Sequence, residues 1–349
     1  MTEAHEGEVW VSMTIPKSDS PLRIGLVGLG PGGAHHLERI SLRTDMRVVA
    51  AWDDGENADR ARALFPNTSP RLVDLLVRED LDWILIAAPL AMRAELAIRA
   101  LDEWKQVAVE APPCVNHQQA SKLVTEIQRP GRGLYVLPTR RDGFDFRAAL
   151  HTVAAGTLGT VQSARITSWA KAVPPDFAEA ARDPTPAEVA PGDGVFTFFA
   201  YQYVDQLLQL VRRRPCSVFA RITHPPATDP TATAFFLSIA FDEGGDAVID
   251  VNLHAGAALH TGWMLAGSAG AYCQQRTYLT EPSGEVCDMP ITPADLPPFD
   301  LYAELLRTAR LESNCFKSAE DAATVMRVID AARLSDRTGG VVTLFEVVG

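Results

Sequence analysis

The sequence contains no Cys-x-x-Cys pair and no His-x-x-x-His or His-Glu-x-x-His spacing. Its five cysteines, Cys114, Cys216, Cys273, Cys287 and Cys315, are scattered and odd in number. That excludes a disulfide framework and a zinc ribbon, and predicts reduced, packed thiols in a cytoplasmic protein. The eight histidines give a metal site little support. No run of about 18 apolar residues occurs, so no membrane-spanning helix is expected. Positive charge is also short: 32 Lys and Arg stand against 44 Asp and Glu, a net charge of −12. A chain of that balance lacks the basic footprint of a nucleic-acid or anionic-membrane binder. Residues 1–20 have neither a cationic start nor an apolar stretch, and read as a polar tail rather than a secretory signal. Met13 stands nearer than Met1 to the first strand, which leaves the true start open between them.

What is present is a change of grammar part-way along 349 residues, enough chain for two domains. Up to about residue 140, short apolar runs alternate with helical patterns. The runs are RIGLVGLG (23–30), MRVVAAWDD (46–54), DWILIAAP (82–89), KQVAVEAP (105–112) and GLYVLP (133–138). Helical patterns fall at 33–43, 56–64, 91–103 and 116–128, with Asn116 placed to cap the last. Strand–helix alternation of this length predicts a parallel sheet with right-handed crossovers. After a helix at about 144–155, longer strand-like runs follow at 161–170, 217–224, 233–241, 246–254 and 262–275. They predict an open, mostly antiparallel sheet. A Pro-, Ala- and Asp-rich loop (173–193) and a helix (195–212) interrupt them. Helices at 300–311 and 318–335 and a strand at 341–345 close the chain. The expected organisation is a tail (1–20), a Rossmann domain (21–139) and an α+β domain (140–349).

Gly28-Leu29-Gly30-Pro31-Gly32-Gly33 fits G-x-G-x-x-G between a strand and a helix, the context that pattern needs. The glycines allow a tight turn, close approach of a pyrophosphate and close helix–strand packing. Free N–H groups at the helix start then face the phosphates. Asp53 ends the second strand, where a carboxylate accepts from a ribose 2′-hydroxyl and repels a 2′-phosphate. Asp54 and Gly55 follow it rather than Arg or Lys, so NAD is expected over NADP.

At this point the chain resembles the Gfo/Idh/MocA family, the glucose–fructose oxidoreductase and inositol dehydrogenase group. GLVGLGPGG, VVAAWDDGENADRARALF, ILIAAPLAMRAELAIRAL and KQVAVEAPP resemble its first four βα units. RRDGFDFRAALHTVAAGTLGTV resembles the opening of its substrate domain, and LYAELLRTARLESNCFKSAEDAATVMRVIDAARLSDRTGGVV its C-terminal helices. The resemblance implies a nicotinamide-dependent oxidoreductase acting on a sugar, polyol or related carbonyl, with cofactor and ligand meeting between the domains. It also implies a dimer or tetramer formed through the open C-terminal sheet. Ala88, Pro89, Arg93 and Glu110 join the glycine loop and Asp53 as implied cofactor residues, Arg93 standing where the family often has histidine.

The resemblance fails at the groups that move protons. Where the family has Glu-Lys-Pro, this chain has Glu110-Ala111-Pro112. Where the family has Asp-x-Gly-x-His-x-x-Asp, it has Phe198, Ala200, Gln202 and Asp205. Alanine carries no proton, and glutamine hydrogen-bonds without accepting one near neutral pH. Ala111, Pro112, Arg140, Arg141, Phe198 and Gln202 are the expected ligand pocket. Gln202 and Tyr201 are the weak candidates for chemistry. His117 reads as a first-turn polar residue. Two functions stay open: an NAD-dependent oxidoreductase with a rebuilt acid–base site, and a catalytically silent nucleotide-binding scaffold or sensor.

Overall fold

The computed structural model describes residues 20–55, 57–172, 193–223, 233–280, 283–310 and 315–347. The tail and nearly all of the 173–193 loop fall outside these residues, as does His224.

Five short strands form a parallel sheet: β1 (Leu22–Val27), β2 (Met46–Trp52), β3 (Trp83–Ile86), β4 (Gln106–Glu110) and β5 (Leu134–Leu137), in the order β2-β1-β3-β4-β5. β3 is buried along its whole length, which is why its sequence runs apolar without alternation. The helices between them are α1 (Pro31–Ser41), α2 (Ala58–Leu64), α3 (Leu72–Leu76), α4 (Leu90–Asp102) and α5 (His117–Ile127). α4 buries Leu90, Ala94, Ala97 and Leu101, a stripe at helical spacing. α5 starts as its sequence predicts: the Asn116 side chain accepts the Gln119 N–H at 2.9 Å.

After α6 (Phe144–Ala154), which ends before the left-handed Gly156 (φ +74°), a nine-stranded sheet is built. Its strands are β6 (Val161–Trp169), β7 (Pro215–Thr223), β8 (Ala234–Phe241), β9 (Asp246–Asn252), β10 (Leu259–Gly267), β11 (Gly270–Cys273), β12 (Arg276–Thr280), β13 (Val286–Pro290) and β14 (Val342–Thr343). Their order is β13-β12-β11-β10-β6-β9-β8-β7-β14, and among the described residues β6–β9 is the one parallel pairing. The expected single run at 262–275 is corrected here. It is two antiparallel strands, β10 and β11, turned at Ser268-Ala269 between Gly267 and Gly270. A Cβ at Gly267 would meet the Leu158 carbonyl oxygen at 2.1 Å, so the turn accepts no larger residue. Strands β12 and β13 extend this meander beyond what the sequence pattern revealed.

Among the described residues, three further helices join the two sheets: α7 (Asp193–Val211), α8 (Leu301–Ala309) and α9 (Cys315–Thr338). α7 and α9 pack together with the second sheet. α8 returns to the first sheet, where Tyr302, Leu305 and Ala309 share a core with Leu22, Leu26, Ile40 and Leu85. α9 lies against α5 and β5. There the Ser318 hydroxyl accepts the Val136 N–H at 3.0 Å, closing one edge of the parallel sheet.

Candidate functional site

In a doubly wound sheet, ligands bind outside the carboxyl ends of the strands, where strand order reverses. Here that point lies between β1 and β3, and the glycine loop follows β1. Gly28 takes φ +94°, and a Cβ there would strike the Ala87 carbonyl oxygen at 2.5 Å. A Cβ on Gly33 would meet the Gly28 oxygen at 2.0 Å, so only glycine lets α1 come this close to β1. Gly30 precedes α1 and Pro31 opens it, supplying a preset φ and no N–H. Asp53 clasps the loop: Oδ2 accepts the Leu29 N–H at 2.7 Å and Oδ1 accepts the Gly55 N–H at 2.8 Å.

Beside this loop is a chain of buried polar groups. Glu110, the last residue of β4, points its carboxylate at α1; a Cβ on Gly32 would meet Oε1 at 2.6 Å. The same oxygen lies 3.0 Å from His36 Nε2, and His36 Nδ1 lies 2.9 Å from the Tyr302 hydroxyl on α8. On the other side, Arg93 Nη2 donates to Glu110 Oε2 at 2.6 Å. The rest of that guanidinium serves backbone: Nε donates to the Ala88 carbonyl at 2.8 Å, and Nη1 to the Pro112 and Glu110 carbonyls at 3.0 and 3.3 Å. Burial pushes the Glu110 carboxyl up, but the Arg93 charge and then the His36 hydrogen bond outweigh it and hold it below its ordinary 4.5. Sequence reading missed His36 and Tyr302. His36 follows Gly33 by one turn of α1, a usable signal for a residue facing the sheet. The place of Tyr302 depends on α8 returning to the first sheet.

α7 reaches the turns that follow β4 and β5 through residues one turn apart. Gln202 is buried, and its Nε2 reaches the Ala111 carbonyl at 3.4 Å. Asp205 takes Arg141 in a fork, Oδ2 from Nε at 2.7 Å and Oδ1 from Nη2 at 2.6 Å. Gln206 donates to the Arg140 carbonyl at 2.8 Å and accepts the Trp263 indole N–H at 2.8 Å. Phe198 is half-buried, its ring 5.9 Å from Phe199. Ala111, joined to Pro112 by a cis bond, presents a buried methyl beside Glu110. The fold thus gathers Ala111, Gln202, Arg140 and Arg141 at one edge.

Tyr201 is different. It is fully packed, and burial raises its phenol well above 10, so at neutral pH it holds its proton. Tyr203 is also raised by burial, opposed by its hydrogen bond to Ser168. His117 opens α5 as a structural residue: its N–H donates to Asp330 at 2.7 Å and Nδ1 lies 3.2 Å from the Ala323 carbonyl. Among the described residues, no three His, Cys, Asp or Glu side chains gather to hold a metal, and no helix is long and apolar enough to cross a membrane.

Residues 22–137 match the family described as an oxidoreductase family with an NAD-binding Rossmann fold, GFO_IDH_MocA. Over these residues, a third of its length, the chain is similar to the Gfo/Idh/MocA oxidoreductases. A myo-inositol 2-dehydrogenase of Thermotoga maritima is 27% identical over 159 residues, 44% of this chain and 47% of that protein. A glycosyl hydrolase family 109 protein of Solibacter usitatus is 26% identical over 157 residues, 41% of this chain and 36% of that one. The matches thus span about a third to a half of the length of these curated relatives. Across both sheets, the chain shares its fold with an NAD-binding protein from Listeria innocua: TM-score 0.76 at 21% identity, covering 92% of this chain and 96% of that one. The cofactor of this Rossmann family is NAD, and the glycine cradle with its Asp53 clasp fits a dinucleotide.

Proposed function

We propose that this chain is an NAD-dependent oxidoreductase for a sugar, polyol or related carbonyl compound. In this reading residues 21–139 hold the cofactor and residues 140–349 hold the ligand. The observation that carries it is the clasp of Asp53 on the Leu29 and Gly55 amides, which fixes a carboxylate beside the glycine loop. Gly28, Gly30, Gly32 and Gly33 would admit the pyrophosphate, Asp53 the ribose, and Ala88, Pro89 and Glu110 the nicotinamide end. When bound, NAD supplies the hydride acceptor. Ala111, Pro112, Arg140, Phe198 and Gln202 line the place for the ligand, which Gln202 would meet with a neutral amide. The similarity to a myo-inositol 2-dehydrogenase supports a hydroxyl-rich ligand. Positions 111, 198 and 202 carry no titrating group, so the ligand's proton passes to water. Turnover is then slower by roughly the 10²–10⁴-fold that acid–base catalysis contributes.

The reading extends to assembly and location. The outer face of the second sheet exposes Trp169, Phe236 and Leu259, with Leu259 opposite Trp169. That apolar face supports a homodimer or homotetramer through the sheet. Four cysteines are free among the described residues, in keeping with a reducing cytoplasm.

A second reading, a silent nucleotide-binding scaffold or sensor, draws on the pairing of charges around the cleft. Glu110 is closed by Arg93 and His36, and Arg141 by Asp205. The two readings separate when the protein is incubated with NAD and a panel of polyols and sugars while absorbance at 340 nm is followed. Slow, ligand-dependent NADH formation supports the enzyme. Ligand-dependent changes in NADH affinity without any turnover support the sensor.

A further inference from the structure

Arg93 spends its guanidinium in an unusual way. It sits in the first turn of α4, with its side chain 10% exposed, and reaches two strand ends at once. Its contacts are the Ala88 carbonyl after β3, the Glu110 carbonyl and carboxylate at the end of β4, and the Pro112 carbonyl beyond it. A guanidinium offers five donors in a rigid fork, and all four contacts lie between 2.6 and 3.3 Å. A lysine could not serve both turns together. Position 111, next to the carboxylate it holds, has only a methyl.

We propose that Arg93 is the positioning residue of the nicotinamide end of the cleft: it locks the ionised Glu110 carboxylate and the Ala111-Pro112 turn into one rigid wall for the cofactor. This rests on the NAD reading above. The charged and titratable groups facing Glu110 are Arg93 from α4, His36 and His35 from α1, and Tyr302 from α8 through His36. Arg93 is the permanent cation among them. Without it, a carboxylate in this buried place would protonate well above its ordinary range.

The test measures NADH affinity by fluorescence on the full chain between pH 5 and 8.5, for the unchanged protein and for R93K, R93M, E110Q and R93M/E110Q. The unchanged protein should give a flat profile. R93M should bind about tenfold more weakly at neutral pH, the scale of one charged hydrogen bond, and should gain a pH-dependent step as Glu110 protonates. R93M/E110Q should lose that step. R93K should recover a flat profile with only part of the affinity, since it restores charge without the fork. A flat R93M profile, or a step that persists in R93M/E110Q, overturns the role assigned to Arg93 while leaving NAD binding intact. Failure of the unchanged protein to bind NADH overturns both readings.

Discussion

The carboxylate of Asp53 accepts the amide N–H of Leu29 at 2.7 Å, across a separation of 24 residues. The contact joins the end of β2 to the middle of the glycine loop and gives the carboxylate one fixed orientation. Its second oxygen is held by Gly55 at 2.8 Å. A carboxylate so held disfavours a 2′-phosphate by charge and by place.

Replacing Asp53 with Asn keeps the shape and removes the charge. NAD affinity should fall about tenfold, the scale of one charged hydrogen bond. The preference for NAD over NADP should narrow. Parallel calorimetric titrations of D53N and the unchanged protein check this.

Gly33→Ala places a methyl 2.0 Å from the Gly28 carbonyl oxygen. The obstacle is backbone, so α1 must move away from β1. A loss of roughly 1–3 kcal/mol is expected, the usual scale of overpacking, together with loss of NADH binding. Gly256→Ala, where a Cβ meets nothing within 4 Å, serves as the neutral control. Urea unfolding of both variants makes the comparison.

The Arg141–Asp205 fork should behave as a partly buried pair. Asp205→Asn leaves the Arg141 charge without its counterion. Since the Arg141 side chain is 26% exposed, the loss belongs near the lower end of the range for broken buried pairs, about 3 kcal/mol. R141M/D205L, which removes both charges, should lose less than D205N alone. Denaturant midpoints of the three proteins decide it.

Stability should have an acid limb that depends on Glu110. Its folded carboxyl lies below its ordinary 4.5, so the unfolded chain takes up the proton first. The stabilisation is therefore complete above about pH 4.5 and disappears as pH falls through the folded value. Asp45, Asp80 and Asp300 are also held low. E110Q should lessen the slope of melting temperature between pH 3 and 5 without abolishing it. An unchanged slope would mean that Glu110 titrates alike in folded and unfolded chains.

The parallel half was legible because its signals are local. The glycine loop, the run WILI of β3 and the Asn116 cap each lie within a few residues of what they determine, and Asp53 showed by its place at the end of β2 although it holds Leu29 from 24 residues away. That Ala111 and Gln202 move no proton was equally plain, because residue type shows in sequence. The buried network was not. His36 meets Tyr302 over 266 residues and Glu110 over 74, and only the return of α8 to the first sheet brings them together. Arg141 read as a ligand-binding cation, yet its fork is taken by Asp205 from a helix 64 residues on. The division of 262–275 was missed because Trp263, Met264, Leu265, Tyr272 and Cys273 give one continuous apolar impression across the small residues of the turn.

The most direct test of the account is titration of the full chain with NAD and NADH, followed by fluorescence and calorimetry, with NADP in parallel. Micromolar binding of NAD and NADH, with markedly weaker binding of NADP, is the expected result. Absence of binding by all three, in protein shown to be folded, would contradict it.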